Sequence, residues 1–214
     1  MSKTYHLIRP PARFILILPV VGMILFVLFY LIAAFNYSGG SYRVPDAAYF
    51  DFWYNYLCDL LDATTYQGLP NDASVYARAA LVILSVSLSI IWYYSPLLFE
   101  LKIYQRRIVQ ISGILSMLIV LFLGSDQHDL IIRIAGFFGI IAFLIMIKAL
   151  FNAKYYLLAL GGVLCILIFF INYLIYESGF LINALPVIQK FTFIFFILWF
   201  LLLDLTLYVF LKKR

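Results

Sequence analysis

The segment SDQHDLIIR, at 125–133, places a histidine, two aspartates and an arginine within nine residues. Asp126, His128 and Asp129 could bind a metal ion or act in proton transfer, because histidine titrates near neutral pH and carboxylates are common metal ligands. Arg133 follows Asp129 by four residues, so a helix would put both on one face. The alternative is a tight turn in which the aspartates cap a helix and the arginine extends toward water.

A second polar set interrupts the apolar segment NYLCDLLD, at 55–62. In a helix, Asn55, Asp59 and Asp62 would share one face, and they would need a polar partner or water. A water-facing stripe explains the pattern equally well. Cys58 alone indicates no thiol chemistry, because a single cysteine is most often an inert apolar residue.

A third set lies in NYLIYES at 172–178 and LPVIQK at 185–190. Tyrosines in such positions are typical of membrane interfaces. Asn172, Glu177 and Lys190 are harder to explain in that way, because polar groups within apolar segments usually face other protein groups.

The composition indicates that these residues are positioned by transmembrane helices. The chain has 214 residues, of which 66% are hydrophobic and 12% are charged. A soluble domain carries about 25% charged residues, so the composition indicates an integral membrane protein. Six apolar runs are each close to the ~20 residues that a transmembrane helix needs. They cover approximately 14–35, 79–99, 108–125, 130–150, 155–176 and 190–211.

The sequence therefore predicts an all-α integral membrane protein, a six-helix bundle forming a single domain over 1–214. Four of the connections are short, whereas the segment 36–78 is long. Its aromatic and leucine spacing between about 47 and 64 predicts a short helix that lies in the outer interface or over the bundle.

The distribution of charge predicts the orientation. With the N-terminus inside, the cytoplasmic segments hold eleven basic residues and one acid, Glu100, while the opposite segments hold four basic and eight acidic residues. This asymmetry predicts that both termini are cytoplasmic. The net charge of +5 is thereby an orientation signal, and no nucleic-acid partner is expected.

The same topology places the three polar sets on the outer side, where they could line one outward-facing pocket. Both signs of charge suit a zwitterionic or anionic ligand such as a lipid headgroup, whereas His128 and Asp129 are the candidate ligands for a divalent metal. No cofactor is predicted. The candidate ligand-binding residues are Asp59, Asn71, Asp126, His128, Asp129, Arg133, Asn172, Glu177, Gln189 and Lys190.

Asp204 lies inside the sixth apolar run, where a carboxylate is costly unless it is paired or protonated. A proton relay would need further groups of this kind along its path, and the sequence shows no other carboxylate within this run. The sequence favours a hydrogen-bonded structural role.

The order of several short pieces resembles a known family. NYLCDL at 55–60, GLPNDAS at 68–74, SDQHD at 125–129, NYLIY at 172–176 and LPVIQKFTF from 185 are similar to bacterial six-helix membrane proteins of the Domain of Unknown Function 998 type. A looser likeness is to the eukaryotic DRAM/Frag/Sfk group. The first resemblance implies a bundle with its first outer loop folded against it, and it implies no activity. The motif positions it carries over are Asp59, Asn71, His128, Asp129, Asn172 and Gln189.

Three functions are consistent with these features. The first is a ligand-binding or transport-like protein of a bacterial inner membrane, whose partners are the bilayer and a lipid headgroup or small polar molecule. The second is a metal-assisted hydrolase or transferase that acts on lipid at the outer face. The third is a non-catalytic membrane scaffold or assembly subunit.

Overall fold

The computed structural model describes residues 11–125 and 127–212. The candidate Asp126 lies outside the described residues, as do Lys3, Arg9, Lys213 and Arg214, which contribute to the predicted orientation. The described chain is helical and contains no strand, only an isolated bridge between Thr64 and Pro70. Its α-helices are α1 (Leu18–Asn36), α2 (Ala73–Tyr94), α3 (Ile103–Val120), α4 (His128–Asn152), α5 (Tyr156–Ser178) and α6 (Leu185–Lys212).

Within the described residues, five helical segments are long and apolar enough to cross a membrane, which indicates a multi-pass membrane protein. These segments are Phe14–Asn36, Ala73–Leu98, His128–Asn152, Tyr156–Ser178 and Ile182–Lys212. The α3 helix is not among them, because its first two turns carry Gln105, Arg106, Arg107 and Gln110.

Three helices begin five or six residues earlier than the sequence predicts. The second run, expected at 79–99, corresponds to α2, which begins at Ala73. The third apolar run, expected at 108–125, corresponds to α3 at Ile103–Val120, and residues 121–125 form turns. The sixth run, expected at 190–211, begins at Leu185. Pro186 is tolerated there because the first turn of a helix has no intrahelical partner for its missing N–H.

Each helix packs against the next along the chain, and α6 closes the bundle by contacting α1 and α2. The Trp92 side chain, 1% exposed, lies between α2, α3, α4 and α6. Its ring packs edge-on against Phe143 and Phe200, with centroids 5.4 and 5.3 Å away. A Cβ atom at Gly113 would lie 2.4 Å from the Trp92 ring, so only glycine permits this approach of α3.

The loop between α1 and α2, residues 37–72, is ordered, but the helix expected near 47–64 is not present. Its only helical element is the 3-10 turn Cys58–Leu60. The Asp51 carboxylate accepts a hydrogen bond from the Trp53 N–H, and the Asn55 amide oxygen accepts one from the Asp51 N–H. These side chains compete with the helical pattern of backbone hydrogen bonds, which explains why helical spacing was misleading here.

The loop folds over one end of the bundle, which we call the loop end. Leu60 and Leu61 are buried. Arg78 of α2 donates from Nε to the Leu61 carbonyl and from Nη2 to the Gly124 carbonyl, at 3.0 and 3.4 Å. These contacts place the α3–α4 turn beside the loop. The opposite end, with the α2–α3 and α4–α5 connections, is called the basic end because it carries Lys102, Arg106, Arg107, Lys148 and Lys154.

Candidate functional site

A buried lysine joins the loop to α6. Lys190, 5% exposed, lies in the second turn of α6. Its ammonium donates hydrogen bonds to the carbonyls of Asn55 and Pro186, at 2.5 and 3.0 Å. The same nitrogen lies 5.5 and 5.1 Å from the ring centroids of Phe50 and Phe52. The charge is thus solvated by one loop carbonyl, one carbonyl of α6 and two aromatic faces, which replace the water that burial removes.

Asn55 is the centre of the loop's hydrogen-bond network and is fully buried. Its Nδ2 donates to the Gly40 carbonyl at 2.7 Å and to Asp59 Oδ2 at 2.9 Å. Gly40 has a φ of +68°, and a Cβ there would lie 2.2 Å from the Pro45 carbonyl oxygen, so the turn that presents this carbonyl needs glycine.

Two further side-chain amides, of Gln189 and Asn71, connect the loop to α6 and to α2. The Gln189 Oε1 accepts a hydrogen bond from the Leu57 N–H at 2.8 Å. Asn71 donates from Nδ2 to the carbonyls of Asp59 and Asp62, and its Oδ1 accepts from the N–H of Ala73 at the start of α2. We call the group of buried or half-buried side chains that fixes the loop the loop anchor: Asn55, Asp59, Asn71, Gln189 and Lys190.

The loop anchor holds a carboxylate that titrates unusually. Burial raises the pKa of Asp59 from 3.8 to about 6, against the opposing effects of hydrogen bonds from Asn55 and the Tyr56 N–H. Burial likewise raises the pKa of Cys58 to about 12, so its thiol is protonated at neutral pH and is a poor nucleophile.

The second group of candidates lies on the surface of the loop end. Arg133 of α4 forms an ion pair with Glu177 of α5, with Nη2 and Oε1 2.5 Å apart. The Tyr176 hydroxyl lies 2.9 Å from both carboxylate oxygens of Asp129. His128 Nδ1 is 3.3 Å from Asp129 Oδ1. These five side chains, His128, Asp129, Arg133, Tyr176 and Glu177, are called the charged cluster.

The sequence predicts that Asp129 and Arg133 share one helix face, but they are not paired with each other in the structure. Instead each contacts α5, through Tyr176 and Glu177 respectively. The charged cluster therefore bridges the ends of two helices, and its carboxylates and guanidinium remain partly open to solvent.

Burial raises the pKa of Tyr56, next to the loop anchor, to about 12, so its hydroxyl is protonated at neutral pH.

Asn172 belongs to neither group. It donates from Nδ2 to Thr192 Oγ1 at 2.6 Å and to the Ile168 carbonyl at 2.9 Å, and thus joins α5 to α6. Its Oδ1 is buried without a hydrogen-bond partner among the described residues. Asp204 is fully buried, and neither carboxylate oxygen has a partner in the described part of the chain. The hydrogen bond that the sequence suggested for Asp204 is not observed there.

The sequence singles out four members of the loop anchor, but it does not reveal the central role of Asn55. The polar partner that the sequence requires for the residues at 55–62 comes from α6 and from the loop itself. One sequence feature could have indicated these partners. Lys190 is an ionisable residue at the start of an apolar run, and such a residue requires a polar group nearby.

Replacing Asp59 by asparagine tests the titration of this carboxyl. Because the folded state holds the proton more tightly, the free energy of unfolding of the wild type should fall as pH rises from about 4 to about 6. The shift corresponds to roughly 2–3 kcal/mol at most. The amide oxygen of the introduced side chain can still accept the hydrogen bonds that Oδ2 accepts, so Asp59→Asn should fold and lose this part of the pH dependence.

Thermal unfolding of both proteins in a neutral detergent between pH 4.5 and 7 makes the comparison. Other carboxyl groups titrate equally in both proteins, so the difference between the two curves isolates Asp59. Parallel curves would show that Asp59 has an ordinary pKa.

Among residues 11–125 and 127–212, no group of three or more His, Cys, Asp or Glu side chains could hold a metal ion. The charged cluster can instead present a guanidinium, a histidine and two carboxylates to a polar ligand at the surface. Comparison with known proteins gives no further assignment: no family model, no curated protein and no solved structure matches the chain.

Proposed function

We propose that this chain binds a zwitterionic lipid headgroup, of the phosphoethanolamine type, at the charged cluster. The observation that carries the proposal is the arrangement of Arg133–Glu177 beside His128, Asp129 and Tyr176, on two adjacent helix ends and open to solvent. A phosphate and an ammonium joined by two carbons need a cation and an anion close together, and this surface offers both.

The chemistry of binding follows from the charges. Arg133 offers several donors in a fork that suits phosphate oxygens, and His128 adds a donor. Glu177 and Asp129 can accept hydrogen bonds from the ligand's ammonium. The Arg133–Glu177 pair is exposed, so exchanging it for ligand contacts has a small free-energy cost.

The loop anchor supports this site by holding the loop against the bundle. The loop carries exposed aromatic side chains, including Tyr49, Phe52 and Trp53. Aromatic residues of this kind prefer the headgroup region of a bilayer. They would keep the loop end at the depth where headgroups lie.

The proposal can be tested with glycerophosphoethanolamine, a soluble headgroup without acyl chains. Binding to the full chain in phosphatidylcholine nanodiscs is measured by isothermal titration for the wild type, Arg133→Gln and Glu177→Gln. We expect each variant to bind at least about fivefold more weakly, because each removes one charge-assisted contact. The control is Arg43→Gln, which removes an exposed loop arginine near the Tyr54 ring. No binding by the wild type, or equal binding by all proteins, would overturn the proposal.

We also propose that α3 is a sixth, shorter span, that both termini are cytoplasmic and that the chain belongs to a bacterial inner membrane. The support is the charge asymmetry between the loop end and the basic end, together with the resemblance to the Domain of Unknown Function 998 type. In whole cells of a variant lacking Cys58 and Cys165, an impermeant thiol reagent should label Asp72→Cys but not Lys154→Cys. The reverse pattern would contradict this orientation.

The two alternatives have less support. Metal-assisted catalysis rests on His128 and Asp129, which are two potential ligands. A scaffold function rests only on the absence of any recognised reaction. No specific observation favours either of them over binding.

A further inference from the structure

A membrane-facing groove lies between α2 and α3, away from the charged cluster. Its cavity has a volume of about 370 Å³. The lining residues are Ser85, Val86, Ser89, Ile90, Tyr93, Tyr94, Ile114, Leu118 and Leu121. Seven of these nine residues are aliphatic or aromatic, so the walls of the groove are mainly apolar.

The length of the groove indicates what fills it. On α2 it runs from Ser85, near the middle of the helix, to Tyr93 and Tyr94 at the end of the helix. Eight residues of helix span about 12 Å, which is close to half of the ~30 Å hydrocarbon core. A groove of this length fits an acyl chain from one leaflet better than a transmembrane helix of a second protein, which would need the full thickness.

The groove reaches the basic end, because Tyr93 and Tyr94 at the C-terminal end of α2 line it. Gln110 donates from Nε2 to the Tyr93 carbonyl at 2.7 Å and joins the two walls there. Arg107 is exposed and precedes Ile114 by seven residues, so helical spacing puts it on the groove-lining face of α3, about two turns beyond the last lining residue. A headgroup whose acyl chain fills the groove would extend past Gln110 toward Arg107.

The cations at the basic end of the groove have no counter-ion within the described residues. The two ion pairs of the described chain, His128–Asp129 and Arg133–Glu177, both lie at the loop end. Lys102, Arg106 and Arg107 take part in neither, and the buried Nε of Arg106 has no hydrogen-bond partner among the described residues.

The position of Lys102, Arg106 and Arg107 on α3 adds to the need for an anion near them. Lys102 is the N-cap residue of α3, where the helix dipole disfavours positive charge, and Arg106 and Arg107 follow in the next turn. An anion close to these three cations would offset their mutual repulsion.

We propose that the α2–α3 groove binds an anionic glycerophospholipid. One acyl chain fills the groove, and the phosphate lies at the basic end beside Arg107, with Lys102 and Arg106 adding positive potential. The phosphate position is at the end of the bundle opposite the charged cluster, and the groove shares no residue with that cluster, so the proposal does not depend on the proposed headgroup function.

Lipid binding to the full chain, released from detergent and detected by native mass spectrometry, provides the test. Phosphatidylglycerol is compared with phosphatidylcholine of the same acyl chains, and glycerophosphoglycerol serves as the headgroup without chains. We expect the wild type to bind phosphatidylglycerol about tenfold more tightly than phosphatidylcholine and to bind the soluble headgroup very weakly. Arg107→Gln should weaken phosphatidylglycerol binding about fivefold, since one arginine near an anionic lipid contributes on this scale.

The matched control is Lys154→Gln, which removes an exposed cation from the same end, in the α4–α5 connection. It should leave phosphatidylglycerol binding unchanged. Ser89→Phe should fill the groove and weaken both lipids. Equal affinity for the two lipids, equal loss in Arg107→Gln and Lys154→Gln, or unchanged lipid binding in a folded Ser89→Phe would overturn the proposal. If Ser89→Phe does not fold, the comparison of Arg107→Gln with Lys154→Gln still decides it.

Discussion

Replacing Lys190 by methionine is expected to lower the free energy of unfolding by about 3 kcal/mol, because two buried carbonyls lose a charged donor. Methionine keeps the length and much of the apolar volume of the side chain, so the loss reports on the ammonium. The Asn55 and Pro186 carbonyls would remain buried without this partner, and the contacts with Phe50 and Phe52 would lose their cationic component.

Denaturation in a neutral detergent, followed by tryptophan fluorescence, measures this loss. The matched control is Lys212→Met, which replaces an exposed lysine of the same helix and should change stability little. Equal stability of Lys190→Met and the wild type would show that Lys190 does not fix the loop.

Replacing Asn55 by alanine should have an effect of similar or larger size, about 3–5 kcal/mol, because each partner left without a hydrogen bond costs about 1–3 kcal/mol. The side chain makes three hydrogen bonds, to the Gly40 carbonyl, to Asp59 and from the Asp51 N–H. Because Asn55 and Lys190 act in one network, the double variant should lose less than the sum of the two single losses.

The location of this effect can be measured as well as its size. Hydrogen exchange in Asn55→Ala should rise across 37–72 while α2–α5 remain protected, since the loop anchor holds the loop and not the helix core. Asn36→Ala is the control, because that exposed asparagine donates only to the Ile32 carbonyl within its own helix. Exchange that rises equally in both variants would mean that Asn55 is an ordinary polar residue of the loop.

The helices could be predicted from the sequence because long apolar runs have few alternatives in a membrane. Their ends were less predictable: α3 extends into the polar segment Ile103–Gln110, which hydropathy alone does not mark as helix. The loop was predicted incorrectly because the hydrogen bonds of Asp51 and Asn55 with the backbone override helical spacing.

The candidate residues were selected because the predicted topology places them at one depth, on the outer side of the membrane. This criterion determines which parts of the site the sequence could predict. Depth identified Lys190 as unusual, and the family resemblance added Asp59 and Gln189 as motif positions. In the structure all three belong to the loop anchor. Depth carries no information on lateral position, so it could not show that Lys190 and Arg133 belong to separate groups. It also could not show that Asn172 contacts Thr192 within the α5–α6 interface.

The measurement that most directly tests binding at the charged cluster is hydrogen–deuterium exchange of the wild type in two kinds of nanodisc. One contains phosphatidylcholine alone and the other contains phosphatidylethanolamine with the same acyl chains. We predict slower exchange with phosphatidylethanolamine at 128–133 and 173–178, the two helix ends that carry the cluster, and no change there for Arg133→Gln. Identical exchange of these segments in the two lipids would contradict the proposed site.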